Sequence, residues 1–339
     1  MTLRDTPGPA DTTVAATLTF RSGGADCHAW HFPATSAEFD GPSGRPVAVM
    51  AHGFGGTKDS GLEPFARAYA AAGIDVLAFD FRCFGASGGR PRQRVRMSEQ
   101  LADYRAAVLA AAQLPGVDPR RVVLWGVSLS GGHVFAAGAA ASATPADSTA
   151  VRAALAAIVS VTPLVDGRAA GVLAARESGI AGVLRGTAGG ARAGLAAAFG
   201  SSGLIPLVGR PGELAALTSD GYYDSYTALA GPTWRNEIDA GVLWQLPGYR
   251  PARAAAGLNL PVLVQIADFD RGAPPHAAAR AAFAARAEVR HYPCDHFGIW
   301  PGNPFFESAV AHQLLFLRRH LAAAAASDDR PAGPGTGLR

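Results

Sequence analysis

Leu124-Trp125-Gly126-Val127-Ser128-Leu129-Ser130-Gly131-Gly132 is the stretch from which the fold is read. It follows an apolar run, Arg121-Val122-Val123-Leu124-Trp125, and leads into Ala/Gly-rich sequence with helical character from Ser130. Strand, sharp small-residue turn and helix in that order are what a nucleophile elbow needs. The strained turn lifts one hydroxyl above a sheet, and small neighbours let the backbone fold back without a clash. The usual G-x-S-x-G is altered, because Ser130 stands where the second glycine is expected and Gly131 comes one place late. Ser130 has two readings: a cap for the helix that follows, or a side chain crowding the oxyanion position.

Outward from the elbow, short apolar runs alternate with helical patterns. Strands are expected over Val14–Phe20 and Asp26–Pro33, as an antiparallel pair at a sheet edge, then over Pro46–Ala51, Asp75–Asp80, Arg121–Val127, Leu155–Val161, Leu260–Ala267 and Glu288–Tyr292. Helices are expected over Leu62–Ala72, Met97–Gln113, Pro275–Arg286 and Glu307–Leu321. Five- to seven-residue apolar strands between helices predict an α/β protein with a mostly parallel central sheet flanked by helices on both faces. The rhythm breaks between residues 162 and 253, far longer than an ordinary connection. We read 162–253 as a helical cap over the C-terminal strand ends, set into a core of 14–161 and 254–322, with disordered ends at 1–13 and 323–339. The aromatics of the cap's second half supply the substrate-pocket candidates Tyr222, Tyr223, Trp234 and Trp244; the other reading is that they form the cap's own core.

A serine hydroxyl becomes a nucleophile only with a base, a group that orients the base and donors for the oxyanion. After the strand ending at Ile266 the chain reads Ala267-Asp268-Phe269-Asp270-Arg271-Gly272, and Asp270 is the expected acid, with Asp268 as the alternative. Pro293-Cys294-Asp295-His296-Phe297-Gly298 precedes the last helix and offers His296 as the base. His52-Gly53-Phe54-Gly55 follows the first central strand, and the backbone N–H groups of Phe54 and Leu129 are the expected oxyanion donors. His52 reads as a loop anchor and His133 as packing beneath the elbow.

With those residues in place the chain resembles the α/β-hydrolase superfamily from about Val47 to Leu321. The likeness is carried by His52-Gly53-Phe54-Gly55-Gly56-Thr57, by Asp80-Phe81-Arg82-Cys83-Phe84-Gly85-Ala86-Ser87-Gly88-Gly89 and by Gly126 to His133. More narrowly it is similar to S15-like acyl esterases and to polyketide transferase-type acyltransferases. Elbows of the form G-x-S-x-S-G-G-H occur in that group, which implies that Ser130 is a subfamily trait. Cys83 replaces a more usual glycine in a structural segment. The resemblance implies an α/β-hydrolase fold and acyl chemistry through an acyl-enzyme at Ser128. Hydrolysis of a small to medium apolar ester or thioester is the first reading; acyl transfer to an alcohol or amine is the second, with a lyase or a non-catalytic ligand-binding module further behind.

Composition limits the partners. Of the 339 residues 49% are apolar and 17% charged, and the formal charge is +3. The arginines are scattered and Lys58 is the sole lysine, so there is no nucleic-acid footprint. Cys27, Cys83 and Cys294 make neither a disulfide framework nor a zinc site, which fits a reducing, cytoplasmic setting. No signal peptide is visible near Met1, and no apolar run reaches the ~18 residues of a membrane span. The expected partner is a small-molecule acyl substrate, with no cofactor, no metal, no nucleic acid and no membrane; a homodimer is left open.

Overall fold

The computed structural model describes residues 15–142, 154–177 and 203–327. The expected disordered start at 1–13, the stretch 178–202 of the expected cap and the tail beyond 327 lie outside the described residues.

Two strands open the chain, β1 (Ala16–Ser22) and β2 (Ala25–Phe32), paired antiparallel with Phe20 opposite Cys27. Then come β3 (Arg45–Ala51), α1 (Glu63–Ala71), β4 (Asp75–Phe79), α2 (Met97–Ala111), β5 (Val117–Val127), α3 (Leu129–Ser142) and β6 (Leu155–Val161). After a long insertion the chain resumes with β9 (Val262–Ala267), α7 (Pro275–Ala284), β10 (Glu288–Tyr292) and α8 (Phe306–Ser327). The insertion holds a helix over 167–177 (α4), β7 (Leu204–Ile205), α5 (Tyr222–Leu229), β8 (Ile238–Asp239), α6 (Val242–Gln245) and 3-10 turns at Leu246–Gly248 and Pro251–Gly257. Eight strands form one sheet in the order β1-β2-β4-β3-β5-β6-β9-β10, antiparallel at the β1/β2 edge and parallel from β4 onward. This is the mostly parallel, helix-flanked architecture expected from the strand–helix rhythm.

Burial explains the pattern in the central strands. Every residue of β4 and β9 is buried, because helices cover both faces and leave no position for a polar alternation. Val47, Val49 and Ala51 of β3 face one apolar layer with Tyr104 of α2, Phe135 of α3 and Ala278 of α7. Their neighbours Ala48 and Met50 face the other, with Tyr69 of α1 and Phe316 and Leu317 of α8. In that second layer Gln313 of α8 accepts from Tyr69 Oη at 2.9 Å and Trp125 Nε1 at 3.0 Å, and donates to Gln265 of β9 at 2.7 Å. Buried polar groups that satisfy one another in this way fix the register of α8 on the sheet.

The boundaries shift modestly from expectation. β5 begins at Val117, and α8 continues to Ser327, so the segment 323–327 expected in the tail is helical here. The described part of the insertion is not purely helical. It contains the β7–β8 ribbon, whose two-residue strands are too short to show any periodicity.

A charge pair fixes the loop after β3. The side chains of Lys58 and Asp80 are 2% and 0% exposed, and Lys58 Nζ lies 2.7 Å from Asp80 Oδ2. Asp80 also accepts from the N–H groups of Lys58 at 2.7 Å and Ala86 at 3.0 Å, and the ammonium sits 4.8 Å from the Trp30 ring centroid. The sole lysine is therefore a buried brace between the β3 loop and the end of β4. Three residues on, Cys83 has φ 72°, which explains why a glycine is usual there; a non-glycine residue in that region costs about 1–2 kcal/mol. Removing one partner of a buried pair strands the other charge. Lys58→Met is expected to lower stability by about 3–5 kcal/mol in urea denaturation at pH 7, whereas Arg67→Met, which breaks the exposed Arg67–Glu63 pair, changes it by less than about 1 kcal/mol.

Candidate active site

Parallel strands place their C-terminal ends on one edge, and three loops there carry the expected chemistry. Ser128 follows β5 with φ 58°, left-handed for a residue with a side chain. Its N–H donates to Val161 O at 2.9 Å, and its carbonyl accepts from Leu164 N at 2.9 Å and Gly132 N at 3.1 Å. The turn closes only around glycine: a Cβ on Gly126 would lie 2.2 Å from Ser130 O, and one on Gly53 would lie 2.9 Å from Ser128 Cβ. Ser128 keeps partial exposure, whereas Ser130 is wholly buried.

Ser130 does not cap α3. It is the second residue of α3 and its hydroxyl donates to the carbonyl of His52. A serine is accommodated at the usual glycine position because its oxygen finds an acceptor across the gap, tying the elbow to the β3 loop. His52 anchors that loop. Its Nδ1 donates to Gly53 O at 2.9 Å, its Nε2 accepts from Phe81 N at 3.4 Å, and burial lowers its pKa, keeping the ring neutral. His133 lies under the elbow, bonded to Gln100 at 2.9 Å and to the Tyr249 hydroxyl, and burial pushes its pKa down to about 3.

The two candidate acids part company. Asp270 is 5% exposed, and its Oδ2 lies 2.5 Å from His296 Nδ1. Its other oxygen accepts from Gly272 N and Ala273 N, both at 2.8 Å, and from the Tyr222 hydroxyl at 3.3 Å. Asp268 is exposed and pairs instead with His291 at 2.7 Å. The geometry thus joins His296 to Asp270 and leaves Asp268 outside. Asp295 Oδ1 accepts from Phe297 N and Gly298 N at 3.0 Å each, making the turn that presents His296. Burial alone would lower the His296 pKa, but the charge and hydrogen bond of Asp270, with Asp295 nearby, outweigh it and raise the pKa above its ordinary 6.5.

Of the expected oxyanion donors, Leu129 opens α3, where N–H groups have no acceptor within the helix. Phe54 lies in the β3 loop, with its carbonyl bonded to the Tyr226 hydroxyl at 2.7 Å. The pocket candidates separate. Tyr222 reaches Asp270 and packs 5.9 Å from the His296 ring, and Trp234 stacks on Tyr226 at 6.3 Å. Tyr223 is half-buried under the Arg210 guanidinium at 4.8 Å and packs against the apolar layer that includes Phe54 and Leu129, whereas Trp244 is 65% exposed. Tyr226, Asp59, whose carboxylate accepts from Thr233 N at 2.9 Å, and Leu207, packed against Gly55, belong to the site's surroundings without having been singled out from sequence. The four-residue spacing of Tyr222 and Tyr226 within a helical stretch was the available signal. Among the described residues no group of three or more His, Cys, Asp or Glu could hold a metal, and no helix is long and apolar enough to cross a membrane.

Comparison with known proteins gives a consistent picture. A family model described as the alpha/beta hydrolase family matches residues 48–311. The quorum-quenching protein AidA of Acinetobacter baumannii is 34% identical over 278 residues, 81% of this chain and 86% of that protein. The thiohydrolase aneE of Aspergillus aculeatus is 43% identical over a shorter stretch of 97 residues, 29% of this chain and 30% of its own. Among solved structures, the alpha/beta hydrolase GrgF from Penicillium sp. sh18 superposes with a TM-score of 0.71 at 21% identity, over 91% of this chain and 99% of its own.

Raised in the folded state, the His296 pKa contributes stability that is present below its unfolded value and is lost as pH rises through the folded value. Asp270→Asn removes the charge that opposes burial. The His296 pKa, followed by NMR of the ring protons, is expected to fall below that of the wild type, while Asp268→Asn leaves it nearly where it was.

Proposed function

The chain belongs to the alpha/beta hydrolase family, and from that premise we propose that it cleaves an ester or thioester of a small to medium apolar acyl substrate through Ser128, His296 and Asp270. One observation carries the reading: the buried Asp270–His296 contact lies on the sheet edge where Ser128 occupies its strained turn. Asp270 holds Nδ1 of His296, so Nε2 is the nitrogen left to take the Ser128 proton as Oγ attacks the acyl carbonyl. The N–H groups of Phe54 and Leu129 receive the oxyanion. Imidazolium at His296 then returns the proton to the leaving alcohol or thiol. A water deprotonated by the same nitrogen releases the acid and restores Ser128. The described insertion, with Tyr222, Tyr226 and Trp234, serves as the cap whose apolar wall takes the acyl group. Likeness to a thiohydrolase favours thioesters within this class.

A second reading keeps the acyl-enzyme and passes it to an alcohol or amine. It is favoured by the aromatic wall that the insertion presents, since excluding water favours a bound acceptor.

A chain-length series of activated esters and thioesters, assayed with and without alcohol and amine acceptors, tests both. Ser128→Ala is expected to lose about 10³-fold or more in kcat and all labelling by a fluorophosphonate. Equal labelling of wild type and Ser128→Ala would sink the nucleophile. Products confined to free acid across the acceptor panel select hydrolysis. Because the base must be neutral and its pKa is raised, kcat/KM is expected to fall on the acid side with a midpoint above 6.5.

A further inference from the structure

Helix α5 belongs to the insertion, yet it reaches both halves of the site. Tyr226 donates to Phe54 O at 2.7 Å, and Tyr222, one turn earlier, donates to Asp270 Oδ1 at 3.3 Å. Phe297, next to His296, lies between them, with ring centroids 5.1 Å from Tyr222 and 5.5 Å from Tyr226, both edge-on. Burial raises the pKa of both phenols, so both remain protonated donors. The segment after α5 is moored independently, since Asp59 in the β3 loop accepts from Thr233 N at 2.9 Å and Thr233 Oγ1 at 2.7 Å.

The two hydroxyls have unequal work to do. Asp270 Oδ1 already holds two backbone N–H groups at 2.8 Å, shorter than its contact with Tyr222. Phe54 O has the Tyr226 hydroxyl as its sole partner among the described residues. Phe54 also stands between Gly53 and Gly55, in a loop whose glycines permit a wide range of backbone conformations. The peptide that carries the Phe54 N–H is held through Gly53 O, which accepts from His52 Nδ1 at 2.9 Å and Gly56 N at 3.3 Å; Tyr226 holds the following peptide, Phe54–Gly55, and so closes the other side of Phe54.

We propose that α5 is a bracket that fixes the reacting geometry, with Tyr226 the positioning residue for the oxyanion loop at Phe54 and Tyr222 a lesser support for Asp270. The proposal rests on the acyl-enzyme reading above. The insertion then does more than wall a pocket: its seating holds one side of the loop whose N–H meets charge only in the transition state. A contact of that kind changes kcat and leaves ground-state binding alone.

The test is Tyr226→Phe, which keeps the ring on Phe297 and Trp234 and deletes the hydroxyl. Ester turnover is expressed per active site titrated with a fluorophosphonate, and inhibition by a trifluoromethyl ketone, whose adduct carries the oxyanion, is measured alongside. We expect kcat to fall about tenfold, KM to stay within about twofold, and the inhibition constant to rise by the same factor as kcat/KM falls. Tyr222→Phe is expected to lose only about twofold in kcat, because two shorter bonds still hold the carboxylate. Unchanged kcat per titrated site in Tyr226→Phe, with or without a lower melting temperature, overturns the proposal, as does a rise in KM at constant kcat. Full activity in Ser128→Ala would instead overturn the acyl-enzyme reading itself, whatever Tyr226→Phe does.

Discussion

A serine held at φ 58° between two parallel strands is the constraint around which the molecule is arranged. The backbone pays for that conformation only because its surroundings over-determine it. Val161 and Leu164, from the end of β6 and the turn beyond it, bond the Ser128 N–H and carbonyl, and Gly132 of α3 adds a second bond to the carbonyl. Close approach then dictates composition: glycine at 126 where Ser130 O leaves no room for a Cβ, and glycine at 53 where the β3 loop passes Ser128. Ser130 departs from the common pattern and repairs the departure by bonding His52 O, so that elbow and β3 loop are joined through the residue that looked out of place.

Electrostatics divides the buried charges into two kinds. Lys58–Asp80 and its two backbone donors make a buried cluster, which braces the β3 loop from behind. Asp270–His296 is equally buried but belongs to a histidine whose second nitrogen is not used by the pair. Burial opposes the imidazolium and Asp270 favours it, and the balance lifts its pKa. Two aspartates separated by one residue meet opposite fates for a local reason. Asp270 turns inward onto the N–H groups of Gly272 and Ala273, while Asp268 stays at the surface with His291.

Much of the core was legible because its signals are local. Apolar runs of strand length, helices with a buried stripe, and a glycine-flanked serine after a strand each report a requirement that neighbouring residues satisfy among themselves. β6 and β10 fall within the residues read for them, and the antiparallel edge of β1 and β2 follows from their alternation. The insertion resisted the same reading. Its contacts run to loops distant in sequence: Tyr226 to Phe54, Tyr222 to Asp270, Thr233 to Asp59. Aromatic residues there look alike in sequence whether they end against His296 and Asp270, as Tyr222 does, or in solvent, as Trp244 does.

Sequence by itself determined the parallel sheet, the elbow at Ser128, and the loops from which an acid and a histidine come, because strand period, turn sterics and chain order act over short spans. Tertiary structure alone decided which aspartate meets His296, what Ser130 bonds, why the one lysine is buried, and which insertion tyrosines reach the site. Those choices depend on where a loop's side chains point once the strands are stacked. Groups far apart along the chain meet only when the sheet edge brings their loops together.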